Sequence, residues 1–312
     1  MKFNYILALA FTFTLFSARA QQDAQFSDYK LNMSSFNPAF AGFFDGSVLL
    51  IHRTQFAGFD GAPESLNLNV NIPLTMNMGA GMNVSSEKLG VTEELIVTGD
   101  YSYTIFTDEI NMLSFGLKAG FNVLNVDYTR LDVQNTNDLS FENNIENRIS
   151  PRIGAGFLFN TPNWYIGLST PNFIKESYDP TVAGISVTKP QIYFTTGYQT
   201  ALTHELLFKP SILAKEVQGS PLAIDFALNF EFKEKFRFGA SYRWDSAITG
   251  IIGVNLLQDF QAGYAYDHNI NGLGKYAPSS HQFYLKYTFK QSKNMRRECG
   301  CSFTDPANNL GF

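Results

Sequence analysis

From Gly46 onward the chain alternates apolar and polar positions with a period of two, broken at intervals by Gly, Pro, Asn and Asp. In "PLAIDFALNFEF" the residues Leu222, Ile224, Phe226, Leu228, Phe230 and Phe232 fall on one face of an extended strand, and Ala223, Asp225, Ala227, Asn229 and Glu231 on the other. "KFRFGASYRW", "LSFGLKAGFN", "ESLNLNVNIP" and "HQFYLKYTFK" repeat the rule. Each strand therefore reads as one apolar face backed by one small or polar face, and none reads as buried on both. One stretch strains this pattern. "FNPAFAGFFDGSVLLIHRTQFAGFDGAP", Phe36 to Pro63, sets a nearly unbroken aliphatic strand between two Gly/Pro-rich segments.

The alternation predicts about fourteen strands, near 46–57, 64–73, 77–87, 93–106, 110–125, 150–160, 163–170, 190–200, 205–216, 220–232, 235–245, 247–256, 259–268 and 280–290. Short connections such as "PLTM", "TDEI", "NTPN", "KEK" and "LQD" alternate with the long polar ones at 126–149, 171–189 and 269–279. An even number of strands, with short turns on one rim and long loops on the other, is the plan of a transmembrane β-barrel, and it puts both ends of the barrel on the short-turn, periplasmic rim. A soluble β-sandwich also alternates. Against it stand strands long enough to cross a bilayer at a tilt, and aromatics at strand ends, Tyr101, Tyr103, Trp164, Tyr165, Trp244, Tyr264 and Tyr266, which read as an outward girdle. The other face is small and polar, with inward glycines Gly79, Gly81, Gly116, Gly120, Gly154, Gly156, Gly239 and Gly263 that suit a curved wall with close contents.

Composition sharpens this. Aromatic residues make up 15% and charged residues only 16%, against roughly 25% charged in ordinary soluble domains. Residues 1–20, with Lys2, an apolar run from Ile6 to Phe16, and Ala18 and Ala20 around Arg19, read as a secretory signal peptide cleaved near Ala20/Gln21. No later stretch has the eighteen or so consecutive apolar residues of a membrane-spanning helix. The net charge of -5 argues against a nucleic-acid partner. Cys299 and Cys301 in "RRECGCSF" have neither the spacing of a zinc site nor the number of a disulfide framework.

Candidate chemistry is sparse. His268 and His281 flank the last long loop beside Asp267, Ser279 and Ser280, whereas His52 lies in the first strand and His204 in a turn. A nucleophile needs a base in reach and a group orienting that base, so this cluster is the one place where a hydrolase would sit. "NGLGKY" at Asn271 to Tyr276 lacks the spacing of a phosphate loop and reads as a turn. Neither a cofactor nor a metal is expected. Inward charges of both signs, Arg53, Lys118, Arg152, Asp225, Glu231, Arg237 and Arg243, with Lys215, Asp267 and Lys286, read as a polar network filling the lumen or as a polar path that accepts a partner's peptide.

The stretches "AQFSDYKLNMSSFNPAFAG", "HRTQFAGFDGAPESLNLNVNIPL", "SEKLGVTEELIVTGDYSY", "GLSTPNF", "KPSILAKEVQGSPLAIDFALNF", "FGASYRW" and "AGYAYDH" carry a further signal. Together they resemble the PorP/SprF family of outer-membrane proteins of the type IX secretion and gliding-motility machinery of the Bacteroidetes. The tail after Phe289 departs from the family pattern. The resemblance implies a non-enzymatic barrel with three kinds of partner: a secreted, adhesin-like cargo protein with a C-terminal sorting domain, periplasmic ring proteins, and a peptidoglycan-binding lipoprotein. Its most specific segments, "NPAFAG" and "GFDGAP", give the candidate partner-binding residues Asn37, Pro38, Ala39, Phe40, Gly42, Phe59, Gly61 and Pro63. The expected organisation is signal peptide 1–20, an N-terminal segment 21–44 that plugs the barrel mouth or lies on the periplasmic rim, an outer-membrane barrel 45–290, and a C-terminal periplasmic tail 291–312. A passive porin is the competing function.

Overall fold

A computed structural model describes residues 26–43, 45–108, 110–130, 144–175, 189–272 and 279–289. The signal peptide, Cys299 and Cys301, the C-terminal tail and most of "NGLGKY" lie outside these residues. The wall consists of β1 (Gly46–Thr54), β2 (Glu64–Pro73), β3 (Met78–Leu89), β4 (Thr92–Phe106), β5 (Met112–Val126), β6 (Ile145–Asn160), β7 (Trp164–Thr170), β8 (Gln191–Tyr198), β9 (Thr200–Thr203), β10 (Leu206–Val217), β11 (Ala223–Phe232), β12 (Phe236–Arg243), β13 (Ala247–Leu257), β14 (Phe260–Asn269) and β15 (Ser279–Phe289). All pairings are antiparallel, and β15 closes on β1 from Gly46↔Phe289 to Thr54↔His281. Both β8 and β9 pair with β10, so they are two halves of one stave interrupted at Gln199, and the barrel has fourteen staves. The interruption lies across from Lys209 and Pro210, between the pairs Ser211↔Gly197 and Phe208↔Thr200. A proline there has no N–H to offer the ladder.

The two faces of each strand meet different surroundings. On β5, Leu117 is 65% exposed and its neighbour Lys118 only 3%. On β4, Tyr101 and Tyr103 are exposed while Asp100 and Ser102 are buried. Exposed leucine beside buried lysine inverts the order of a water-soluble protein. It is the order of a wall whose outside meets lipid and whose inside is polar. Closure satisfies the edge N–H and C=O groups that hydrocarbon would leave bare. No described helix is long and apolar enough to cross a membrane.

Both ends of the barrel, and the turns after β2, β4, β6, β9, β11 and β13, share one rim. At the β4–β5 turn, Asp108 accepts from the backbone N–H groups of Ile110 and Asn111, which hold its carboxyl below the ordinary carboxylate range. The opposite rim carries the long connections, together with short ones after β3 and β12. Outward aromatics sit near both rims, Trp164 and Tyr287 on one side, Trp244 and Tyr266 on the other. Tyr165 does not belong with them. It is 7% exposed and faces inward under Phe40, with a ring-centroid separation of 5.7 Å. The alternation itself requires this, because Trp164 next to it faces out.

Strand β1 has apolar residues on both faces, contrary to the one-sided pattern read from the sequence. Leu50 points outward, while Leu49 and Ile51 are 1% and 0% exposed and pack inside the barrel against Phe26 and Tyr284. The aliphatic run "VLLI" thus reflects lipid on one side and a hydrophobic cluster inside on the other.

Candidate functional site

What Leu49 and Ile51 meet is the segment before the first strand. Ser27 donates its backbone N–H to Gln282 Oε1 at 2.8 Å and its hydroxyl to Asp267 at 2.8 Å, close to the long-loop ends of β14 and β15. From there the segment crosses the lumen and leaves at the short-turn rim to enter β1. A 3-10 turn over Tyr29–Ser35 bonds to the wall through the Tyr29 and Ser211 hydroxyls at 2.7 Å. Asn32 Nδ2 donates to Asn67 Oδ1 at 2.7 Å, and Asn69 Nδ2 donates to Ser34 Oγ at 3.0 Å. Lys118 Nζ and the Ser169 hydroxyl donate to the carbonyls of Ser34 and Phe36 at 3.2 and 2.8 Å. The Ser102 hydroxyl donates to the Ala41 carbonyl at 2.6 Å.

"NPAFAG" forms the tightest part of this contact. Asn37 caps a second short 3-10 turn, Pro38–Phe40, accepting from Ala39 N–H at 3.0 Å while its Nδ2 donates to the Phe157 carbonyl at 3.1 Å. Proline in the first helical position costs no hydrogen bond, since that N–H would be unpaired anyway. The inward glycines make room for the turn. A Cβ on Gly116 would overlap the Ala39 nitrogen and the Pro38 carbonyl carbon, and one on Gly156 would overlap Asn37 Oδ1. Gly42, at φ +61°, lies against Gly79 and the Ile72 carbonyl, where no side chain fits. Phe40, Phe36, Met33 and Tyr29 then pack on the inner wall residues Leu158, Tyr165, Tyr193 and Leu213, a hydrophobic core inside the barrel. Burying one such aromatic is worth about 1.5–3 kcal/mol.

The predicted lumen charges all lie on inward positions, and Arg53, Lys118, Asp225, Glu231, Arg237 and Arg243 have ion-pair partners at short range. Arg53 meets Asp267 at 2.6 Å, Lys118 meets Asp100 at 2.6 Å, and Arg243 meets Asp225 at 2.8 Å. Glu231 meets Lys209 at 2.6 Å, and Arg237 meets Asp28 of the segment at 2.6 Å. Arg152 is buried, 5% exposed, beside a cavity. Asp28, Asp100 and Lys209 were missed by the sequence reading. For Asp100 the parity it shares with Thr98 and Ser102 was an available signal; for Asp28, outside any strand, there was none.

The candidate partner-binding residues divide into two places. Asn37, Pro38, Ala39 and Phe40 are buried inside the barrel, and Gly42 lies against its inner wall. Phe59, Gly61 and Pro63 lie in the β1–β2 connection on the long-loop rim, where Phe59 is 57% exposed. The histidine cluster is also split. His268 and His281 lie on the outer face, His281 beside Tyr264 at 2.6 Å, whereas Asp267 and Ser280 point into the lumen. Adjacent residues of a strand cannot share a face, so Asp267 and Ser280 are separated from the histidines, while Ser279, across from His268, lies on the histidines' side with no carboxylate of the cluster beside it. Among the described residues no group of three His, Cys, Asp or Glu side chains is arranged to hold a metal ion.

Similar solved structures are outer-membrane barrels of very different sequence. The Acinetobacter baumannii outer membrane protein Omp33 is 9% identical, with 80% of this chain and 100% of that chain covered and a TM-score of 0.47. The CymD monoaromatic hydrocarbon channel is 10% identical over 82% of this chain and 92% of that one, with a TM-score of 0.49. The Ralstonia pickettii toluene transporter TbuX is 11% identical over 81% and 92%, with a TM-score of 0.47. No curated protein matches the chain. The model of one family, described as type IX secretion system membrane protein PorP/SprF, matches residues 18–287, which span the N-terminal segment and nearly the whole wall. The chain belongs to the PorP/SprF family, an outer-membrane β-barrel of the type IX secretion system.

Proposed function

We propose that this barrel works by binding and not by catalysis or conduction. It holds a specific secreted, adhesin-like cargo protein with a C-terminal sorting domain at its exterior rim, and engages periplasmic ring proteins and a peptidoglycan-binding lipoprotein at the other, for export or surface attachment. In this reading the N-terminal segment is a plug. Asn37, Pro38, Ala39, Phe40 and Gly42 keep the lumen shut from within, and Phe59, Gly61 and Pro63 offer exposed contact to cargo outside. The observation that carries it is the hold on the segment, which hydrogen bonds and ion pairs fasten to strands around the barrel, from β2 and β5 to β12 and β15. A passive pore gains nothing from such an obstruction.

The test is affinity purification of the tagged barrel from detergent-solubilised outer membranes, with mass spectrometry of what co-elutes, beside conductance of the pure barrel in planar bilayers. Recovery of a large secreted protein with little conductance is the expected result. A solitary barrel with steady open-channel current would overturn the reading in favour of a porin.

A further inference from the structure

Between the N-terminal segment and the long-loop rim the described residues leave a vestibule of about 80 Å³. Its floor is the segment itself, Phe26, Tyr29 and Phe36, and its walls include Asn83, Thr98 and Arg152. Strands β3 to β6, of 12, 15, 15 and 16 residues, make this side of the wall taller than at β7 and β12, of 7 and 8. The vestibule is thus a cradle with one high back.

The wall beside this back already holds a stretch of chain through its side chains. Side-chain amides on β2 hold Asn32 and Ser34 of the segment, and the row passes to β3 through Asn67, whose Nδ2 donates to Asn83 Oδ1 at 3.1 Å. That bond fixes which way the Asn83 amide is turned. Asn83 is 5% exposed, and its Nδ2 has no hydrogen-bond partner among the described residues. A buried amide donor left over at the edge of a cavity asks for an acceptor.

We infer that the vestibule is a docking site for an extended polypeptide segment of the secreted partner, inserted from the cell exterior, with a main-chain carbonyl accepting from Asn83 Nδ2. The inference takes its occupant from the cargo-binding reading above. The lining favours peptide over saccharide. Sugar rings stack on open aromatic faces, but Phe26, Tyr29, Phe36 and Tyr193 are 5–8% exposed, and Phe36 already stacks on Tyr193 at 5.4 Å. Charges of both signs, Glu87 and Arg152, line the site and suit a main chain with mixed side chains better than a polyanion.

The experiment places photoreactive benzoylphenylalanine at half-buried Glu87, at the mouth of the vestibule, and separately at Phe59 on the rim, in cells with their secretion apparatus intact. Tagged barrel is purified before and after illumination. The expected result is an adduct at position 87 with the same secreted protein that co-purifies without illumination, mapped to one contiguous peptide. Asn83→Leu should lower its yield about fivefold, the worth of one hydrogen bond. Ile96→Trp, which fills the cavity from the β4 wall, should abolish it while the barrel still migrates as folded. If the co-purifying protein crosslinks at Phe59 alone, or both variants leave the yield unchanged, the vestibule site is wrong although cargo binding stands. An adduct that glycosidase removes would make the occupant a saccharide and also overturn it. If nothing co-purifies, the cargo reading falls, and this inference with it.

Discussion

Asp28 and Arg237 meet at 2.6 Å inside the barrel, the first from the N-terminal segment and the second from β12. The Asp28 side chain is 2% exposed and that of Arg237 14%, so neither charge has water to fall back on. Removing one partner of a buried pair costs about 3–5 kcal/mol, mostly through the charge left behind. Asp28→Ala should therefore loosen the segment without opening the wall. Trypsin is the reporter: cleavage after Lys30 should appear in the variant while the wall stays intact, and equal protection in both proteins would contradict the role given to this pair.

The glycine track makes a sharper prediction. Gly116→Val and Gly156→Val each place a side chain where Asn37–Ala39 now lies, so the segment must leave and the lumen should conduct in planar bilayers. Gly250→Val supplies the control, since a Cβ there meets nothing within 4 Å. Current from the first two variants and none from the third is expected; three silent proteins would mean that the segment does not block the path.

Arg53 and Asp267 tie β1 to β14 near the barrel's closing seam, with side chains 4% and 1% exposed. Asp267→Ala strands a guanidinium among buried groups and takes an acceptor from Ser27 and from Thr249. A loss of about 3–5 kcal/mol is expected, read as a lower urea midpoint in detergent. The double variant Arg53→Met/Asp267→Leu should recover most of that loss, because an apolar pair of similar size needs no solvation.

The outer surface is testable through Leu117, at the middle of a 15-residue strand and 65% exposed. Leu117→Lys should destabilise the folded state in phospholipid vesicles by about 2–4 kcal/mol. The same change at an exposed turn residue such as Ile110, 58% exposed, should have a far smaller effect. Equal effects would place Leu117 in water.

The wall was legible because a period of two assigns every residue of a strand to one side. Once Phe226 faces out, Asp225 and Ala227 must face in, and strand number followed from counting such runs. The same rule would have corrected Tyr165, which was grouped with Trp164 on chemical type against its parity. What alternation cannot report is what the inner face touches. Leu49 and Ile51 broke the one-sided pattern and the glycines pointed to a curved wall with close contents, but neither named those contents, because their partner, Phe26 to Gly42, has no periodicity and lies far off in sequence. "NPAFAG" was singled out for its texture, yet nothing in six residues says that Gly116 and Gly156, some eighty to a hundred and twenty positions later, leave the hollow it fills.

The bond from the Ser27 backbone to Gln282 spans 255 residues, and Gln282 lies on the strand that seals the barrel against β1. Non-local contacts of this kind come with a large loss of chain entropy and form late. Emerging first, the amino-terminal residues must wait beside an incomplete sheet until the final hairpin arrives, and a cylinder already sealed would offer them no sideways entrance. The beginning of the chain is thus fastened by its end, and the bond that holds Ser27 can exist only once β15 is in place.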